Sequence, residues 1–115
     1  MALSELYTGS VSISTTEISL VSGTSTLQSV ATPGIIQVFM DLSALVDGDE
    51  FMVSFYEKVR SASTQRVVQK FNLVDLQADP NWVTPALHLR HGWDVTVIRL
   101  AGTDRTLEWS VRNVS

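Results

Sequence analysis

The sequence contains no cysteine, which excludes disulfide bonds, thiolate metal sites and cysteine nucleophiles. No apolar run is long enough to cross a membrane, because charged residues interrupt every apolar stretch after position 40. The opening residues, MALSELYTGS, hold no basic cluster and no apolar block, so we expect no signal peptide and synthesis in the cytoplasm. The stability of the fold must therefore come from side-chain packing.

Basic side chains are absent from the first 57 positions, so all 8 Lys and Arg residues lie in residues 58–115. The net charge is −4. We expect strands from the two halves to interleave in one sandwich and to neutralise each other, and a head-to-tail assembly surface is the alternative. Nucleic-acid binding needs clustered Lys and Arg, whereas only His88, Arg90 and His91 crowd together, so we expect no nucleic-acid partner.

Catalytic and metal-binding motifs are also missing. The sequence holds no GxSxG elbow, no phosphate-binding loop and no dinucleotide fingerprint. His88, His91 and Asp94 have spacings that place side chains on opposite faces of a strand, which argues against zinc. The DGDE run at 47–50 lacks the remaining ligands of a calcium loop. We therefore predict a protein that is not an enzyme and that uses no metal and no cofactor.

Apolar and polar residues alternate along most of the chain, which is typical of half-buried strands. At 115 residues and 44% hydrophobic composition, the chain is expected to form a single domain. No segment has a helical period. The pattern predicts an all-β fold over residues 1–115 and is typical of a sandwich, a jelly roll or a small barrel. We expect an antiparallel β-sandwich in which residues 1–16 form an N-terminal arm or an edge strand. Strands are predicted near residues 5–14, 17–21, 35–42, 51–59 and 65–76, the last mostly buried.

The final segment, residues 91–114, reads as two alternating strands with a short turn between them. A hairpin register that pairs Val97 with Trp109 keeps the apolar side chains of both strands on one face. The same register places Asp94 opposite Arg112 on the outer face. The sequence therefore predicts a terminal β-hairpin that contributes two tryptophans to the domain.

The aromatic side chains offer a possible binding surface. Tyr56, Trp82, Trp93 and Trp109 could form the flat platform with which sugar-binding modules stack against pyranose rings. Trp93 and Trp109 fit core positions better, because each shares a face with other apolar residues of its strand. Trp82 lies in a loop bracketed by two prolines, and we expect it to be exposed and available as a contact.

Three segments resemble a group of short, cysteine-free, all-β proteins encoded among the structural genes of tailed phages. These segments are ELYTGSVSISTTEISL, IIQVFMDLSALVDGDEFMVSFYEKV and HGWDVTVIRLAGTDRTLEWSVRNV. The resemblance implies a jelly-roll-like sandwich and a virion structural protein, a decoration or cement subunit that is made in the host cytoplasm. Such a subunit binds the outside of the assembled capsid, with the major capsid protein as its partner, and stabilises the shell.

The predicted partner contacts are Leu6, Tyr7, Trp82, Arg90 and His91. Self-association as a dimer or trimer is also expected, because no Lys or Pro between residues 5 and 32 discourages strand pairing. Two other functions stay open at this point. One is a carbohydrate-binding β-sandwich module, and the other is a small hydrolase whose triad would be recognised only by its geometry.

Overall fold

The computed structural model describes residues 3–114, and every regular element in that range is a β-strand. No helix in these residues could span a membrane. The prediction of an all-β fold is confirmed. The strands are β1 (Leu3–Ile13), β2 (Ile18–Ser19), β3 (Gly34–Asp41), β4 (Glu50–Glu57), β5 (Arg66–Val74), β6 (Asn81–Val83), β7 (Leu87–Leu89), β8 (Asp94–Ala101) and β9 (Arg105–Val114).

The strands form two antiparallel sheets that pack face to face. Sheet A has the order β1, β9, β3, β6, and β7 also pairs with β3. Sheet B has the order β2, β8, β4, β5. Strands from both halves of the chain therefore interleave in each sheet, as the charge distribution predicted. The domain is an antiparallel β-sandwich.

The pairing of the strands is nested. β1 pairs with β9, β2 with β8, β3 with β6 and β7, and β4 with β5. The chain is thus one long antiparallel ribbon whose turn lies between β4 and β5 and which is wrapped into two sheets. This is the strand arrangement of a jelly roll, and it agrees with the prediction.

The hydrophobic core lies between the inner faces of the two sheets. In β9, Leu107, Trp109 and Val111 are buried, whereas the alternate residues Glu108 and Arg112 are exposed. Burying an apolar side chain of this size contributes about 1.5–3 kcal/mol relative to leaving it exposed. The period-two pattern therefore fixes which face of each strand turns inward.

Trp109 joins the two sheets. Its indole ring lies over Gly9 of β1, where a Cβ atom would collide with the ring. Its Nε1–H donates a hydrogen bond of 2.9 Å to the carbonyl oxygen of Leu20, which follows the last residue of β2. Trp93 is also fully buried, and its indole donates to the carbonyl oxygen of Thr32 at 2.9 Å. The prediction that Trp93 and Trp109 belong to the core is confirmed.

The predicted terminal hairpin is wrong. β8 and β9 follow each other in the chain but belong to different sheets, so Val97 and Trp109 are not cross-strand neighbours. Gly102, with φ of 87°, lies in the turn that carries the chain from sheet B to sheet A. Asp94 is fully buried and pairs with Tyr56 of β4 rather than facing Arg112.

Two further expectations concern the sheet edges. β5 is not mostly buried: it is the edge strand of sheet B, and of its residues only Leu73 is buried. For residues 1–16 the sequence predicts either an arm or an edge strand. β1 is an edge strand, because it pairs with β9 along its length. Residues 1 and 2 lie outside the described residues.

Replacing Trp109 with Ala is expected to lower the free energy of unfolding by about 3–5 kcal/mol, because it leaves a cavity between the sheets and removes the hydrogen bond to Leu20. Urea unfolding followed by circular dichroism measures the change. Trp82→Ala is the matched control and should cost less, because Trp82 is only half-buried. A loss at position 109 no larger than the roughly 0.5 kcal/mol of a surface substitution would contradict the packing described here.

Candidate functional site

The structure distributes the five predicted contact residues over three places. Leu6 and Tyr7 lie at a β-bulge in the edge strand β1, where Leu6 is exposed and Tyr7 turns inward to meet Trp93 edge-to-face at 6.4 Å. Trp82 lies in the short strand β6 at the opposite edge of sheet A. Arg90 and His91 lie in the turn before β8, at one end of the sandwich. Of the five, only these last two line a common cavity.

Trp82 differs from the sequence expectation in its surroundings. It is half-buried rather than exposed, because it packs edge-to-face against Phe71 at 5.7 Å. The ring also packs against the core cluster. Pro80 and Pro85 flank a short strand instead of a loop, and that strand turns the indole toward the inner face through its pairing with Met40.

The outer face of sheet A carries apolar side chains where alternation would place polar ones. One cross-strand row contains Ile35, Val114 and Leu3, and the exposed fraction of Leu3 is 82%. Another row contains Val83 beside Phe39, and Val83 is 44% exposed. These two rows therefore present apolar side chains to solvent, whereas the rows that pair Ser10 with Glu108 and Ser12 with Thr106 are polar.

Arg112 lies between these two apolar rows. Its guanidinium stacks 3.8 Å above the centre of the Phe39 ring, an arrangement that favours a cation over an aromatic face. Its Nε–H donates to the Ser110 hydroxyl at 3.1 Å, and that hydroxyl donates in turn to the carboxylate of Glu5. The stack is therefore held by side chains of β1, β3 and β9.

Two shallow clefts border this stack, and both are lined by Phe39 and Arg112. One, of about 270 Å³, continues past Trp82 to Asp41 and Glu108. The other, of about 310 Å³, continues to the exposed Leu3. Sequence reasoning missed Phe39 and Arg112, because they come from β3 and β9, and no local motif connects them.

Asp41, which lines the first cleft, does not have the features of a general acid. Asp41 and Glu108 are directly opposed on β3 and β9. The backbone N–H of Ser43 donates to Asp41 at 2.9 Å, and this hydrogen bond lowers the pKa of that carboxyl below its ordinary value. General-acid catalysis needs a carboxyl whose pKa is raised. Asp41 therefore stays ionised at neutral pH.

A second polar group is enclosed on the outer side of sheet B. The buried Asp94 carboxylate accepts a hydrogen bond from the Ser19 hydroxyl and one from the Gln28 backbone N–H, both of 2.8 Å. Burial raises the pKa of Asp94, and these donors oppose the shift. The Tyr56 hydroxyl donates to Glu17 at 2.7 Å, and burial raises the pKa of Tyr56 to about 12. These hydrogen bonds give the enclosed polar groups their partners, and they hold residues 17–28 against sheet B.

The aromatic platform considered from the sequence is not formed. Trp93 and Trp109 lie in the core, Trp82 lies at the edge of sheet A, and Tyr56 lies on sheet B. Within residues 3–114 no three His, Asp or Glu side chains converge as metal ligands do. His88, one of the candidate ligands, is exposed on β7.

Asp49 fixes the end of the sandwich opposite to Arg90 and His91. Its carboxylate, 3% exposed, forms an ion pair of 2.8 Å with the Nε–H of Arg105. It also accepts hydrogen bonds from the backbone N–H groups of Val46 at 3.0 Å and Thr103 at 3.2 Å. The Arg105 hydrogen bond is the largest cause that lowers the pKa of Asp49. One acidic side chain thus connects the turn before β4 with the crossover before β9.

Asp49→Asn is expected to lower the free energy of unfolding at neutral pH, because an amide nitrogen would face donors where a carboxylate oxygen accepts. Since the folded-state pKa is depressed, this stabilisation is present above the ordinary value of 3.8 and is lost as the pH falls through the lower folded value. Urea unfolding across a pH series should therefore show the variant and the natural protein converging below pH 3.8.

Asp104→Asn is the control for this pH series. Asp104 pairs with Arg99 at 2.7 Å but is 46% exposed, so its substitution should change stability little at any pH. If the difference in unfolding free energy between Asp49→Asn and the natural protein stays constant through the acid range, the carboxylate charge has no part in holding the turns.

Comparison with known proteins gives no family. The chain matches no protein-family model and no curated protein. Among solved structures, a crystal structure of PirA aligns with 93% of this chain and 92% of its own, with a TM-score of 0.49 and 9% sequence identity. A likeness this distant carries no argument about function, and the fold stands on its own strand order.

Proposed function

We propose that this protein is a non-catalytic structural subunit of a phage virion that binds the outside of the assembled capsid and stabilises it. The observation that carries the proposal is the pair of apolar rows on the outer face of sheet A, with the Arg112–Phe39 stack beside them. The kind of partner comes from the resemblance of three sequence segments to structural proteins of tailed phages. The major capsid protein, in its assembled form, is the proposed binding partner.

The composition of the face suits a protein interface. Arg and aromatic residues are enriched at the centres of interfaces, where they supply much of the binding energy. Arg112 and Phe39 occupy such a central position, and apolar residues such as Leu3 and Val83 surround them. A cleft of about 250 Å³ extends the face past Ile35 to His88 and Arg90. A neighbouring capsid subunit would bury this area.

Stabilisation of the shell follows from mass action. A ligand that binds only the intact assembly stabilises it by RT ln(1 + [L]/Kd), about 2.7 kcal/mol when the free ligand exceeds Kd a hundredfold. Many copies on symmetric sites multiply the effect. A small rigid subunit without catalytic groups can therefore raise the temperature at which a capsid breaks.

Purified protein mixed with undecorated shells of its own phage is expected to co-sediment with them and to raise their disruption temperature. Arg112→Gln should weaken shell binding by about tenfold or more, because it removes the cation at the centre of the face. Arg66→Gln, which removes the same charge from the exposed strand β5, is the matched control and should bind normally. Absence of the natural protein from both the sedimented shells and purified virions would refute the proposal.

We expect a second copy to pair with the free edge of β1. The other edges carry protective features: β2 has 2 residues, β6 has 3, and β5 carries Arg66 and Lys70. β1 has 11 residues and no Lys, Arg or Pro. Edges without such features are prone to antiparallel pairing, and pairing of two β1 strands about a two-fold axis extends sheet A into a dimer.

Sedimentation velocity is expected to show a dimer of the natural protein at tens of micromolar. Lysines at Ser10 and Ser12 of β1 should convert it to a monomer, because they place four positive charges along the paired edge. Thr106→Lys is the control, since it lies beside Ser12 on the same face but on the interior strand β9. A natural protein that sediments as a monomer would refute edge pairing.

A further inference from the structure

A small cavity of about 180 Å³ lies at the end of the sandwich, where the end of β4 meets the turn before β8. Its polar lining consists of Ser29, Lys58, Ser61, Arg90 and His91. Two of these residues carry a permanent positive charge, a third is a histidine, and the other two are hydroxyl donors. No carboxylate lines the cavity, although the protein as a whole is acidic.

The walls of this cavity are fixed by hydrogen bonds. The Glu57 carboxylate accepts the backbone N–H groups of Arg90 at 2.6 Å and His91 at 3.1 Å. The backbone N–H of Lys58 donates to the carbonyl oxygen of His91 at 2.8 Å. The Gln65 side-chain amide donates to the carbonyl oxygens of residues 28 and 92, both at 2.7 Å. The backbone around the cavity is therefore held in place before any ligand binds, whereas the side chains of Ser29, Ser61 and Arg90 are exposed.

Gly92 lets two of the lining side chains approach the turn closely. It has φ of 53°, a conformation that side chains rarely adopt. A Cβ atom there would lie 2.6 Å from the Ser29 hydroxyl oxygen and 2.9 Å from the Cε of Lys58. The absence of a side chain at this position thus allows the Lys58 stem and the Ser29 hydroxyl to meet beside the backbone.

Neither Lys58 nor Arg90 forms an ion pair with a carboxylate among residues 3–114. The two ion pairs among residues 3–114 use Arg99 and Arg105, at the other end of the sandwich. Glu57, the carboxylate nearest in sequence, is directed at the backbone of the turn. Bringing Lys58 and Arg90 to one cavity costs electrostatic energy that a bound anion would offset.

We infer that this cavity binds a tetrahedral oxyanion, a phosphate or sulfate group. Two permanent cations match a double negative charge, and the Ser29 and Ser61 hydroxyls can donate to further oxygens of the same group. A carboxylate has one charge and two oxygens, so it would leave part of this donor set unused. The net charge of −4 repels long polyanions, so the site suits a compact ligand.

The test titrates the intact protein with inorganic phosphate and with sulfate, at constant ionic strength against chloride, and follows backbone amide shifts by NMR. Saturable shifts confined to residues 28–31, 57–62 and 89–93 are expected. Lys58→Gln should weaken phosphate binding by about tenfold or more, because it removes a charge-assisted contact. Lys70→Gln, the same change at an exposed site on β5, should leave the affinity unchanged.

Arg90→Gln provides a second variant that keeps the turn intact, because Glu57 holds the backbone of residue 90 rather than its side chain. A titration with glucose 6-phosphate shows whether the bound phosphate belongs to a sugar. Tighter binding of glucose 6-phosphate than of inorganic phosphate indicates a phosphorylated sugar as the ligand, and equal affinities indicate the free anion. Shifts spread over the whole surface, or equal losses in the Lys58 and Lys70 variants, would overturn the inference. Capsid binding is tested separately, through Arg112 on the outer face of sheet A.

Discussion

The contact of Trp109 with Gly9 and Leu20 is the constraint on which the two-sheet arrangement depends. The indole ring occupies the position above Gly9, so the edge strand β1 can lie against β9 only where a side chain is missing. Its Nε1–H donates to the carbonyl oxygen of Leu20, beside sheet B. Without this hydrogen bond the donor would be buried without a partner. One side chain thus sets the position of β1 along sheet A and the approach of sheet B.

Alternation along the sequence predicts which way a side chain points, but it does not predict which strand lies beside it. Val97 and Trp109 both point inward, as expected, yet they belong to opposite sheets. A hairpin and a crossover between sheets bury the same residues, so the hydrophobic pattern cannot separate them. Asp49, a residue far away in sequence, stabilises the crossover, because it accepts the Thr103 N–H and pairs with Arg105 there. No local sequence pattern indicates that long-range contact.

The same limit applies to the candidate sites. Arg90 and His91 were identified from the sequence because they are adjacent, and the structure places both at one cavity. Lys58 and Ser29 join them only through the folded topology, since they come from the end of β4 and from the segment before β3. The Arg112–Phe39 stack depends likewise on the β3–β9 pairing. Sequence reasoning therefore found the parts of a site that are local and missed the parts that pairing supplies.

On the outer faces of the sandwich, residues 17–28 cover polar residues of sheet B and leave apolar residues of sheet A exposed. On sheet B, the polar residues Ser54 and Thr96 are 1% and 2% exposed, because residues 17–28 lie over them and are held by hydrogen bonds to Asp94. On sheet A, apolar residues such as Leu3 remain open to water. The polar network holds the covering segment on sheet B, so the apolar side chains of the sheet A rows stay exposed in the isolated domain, which supports the proposed binding role.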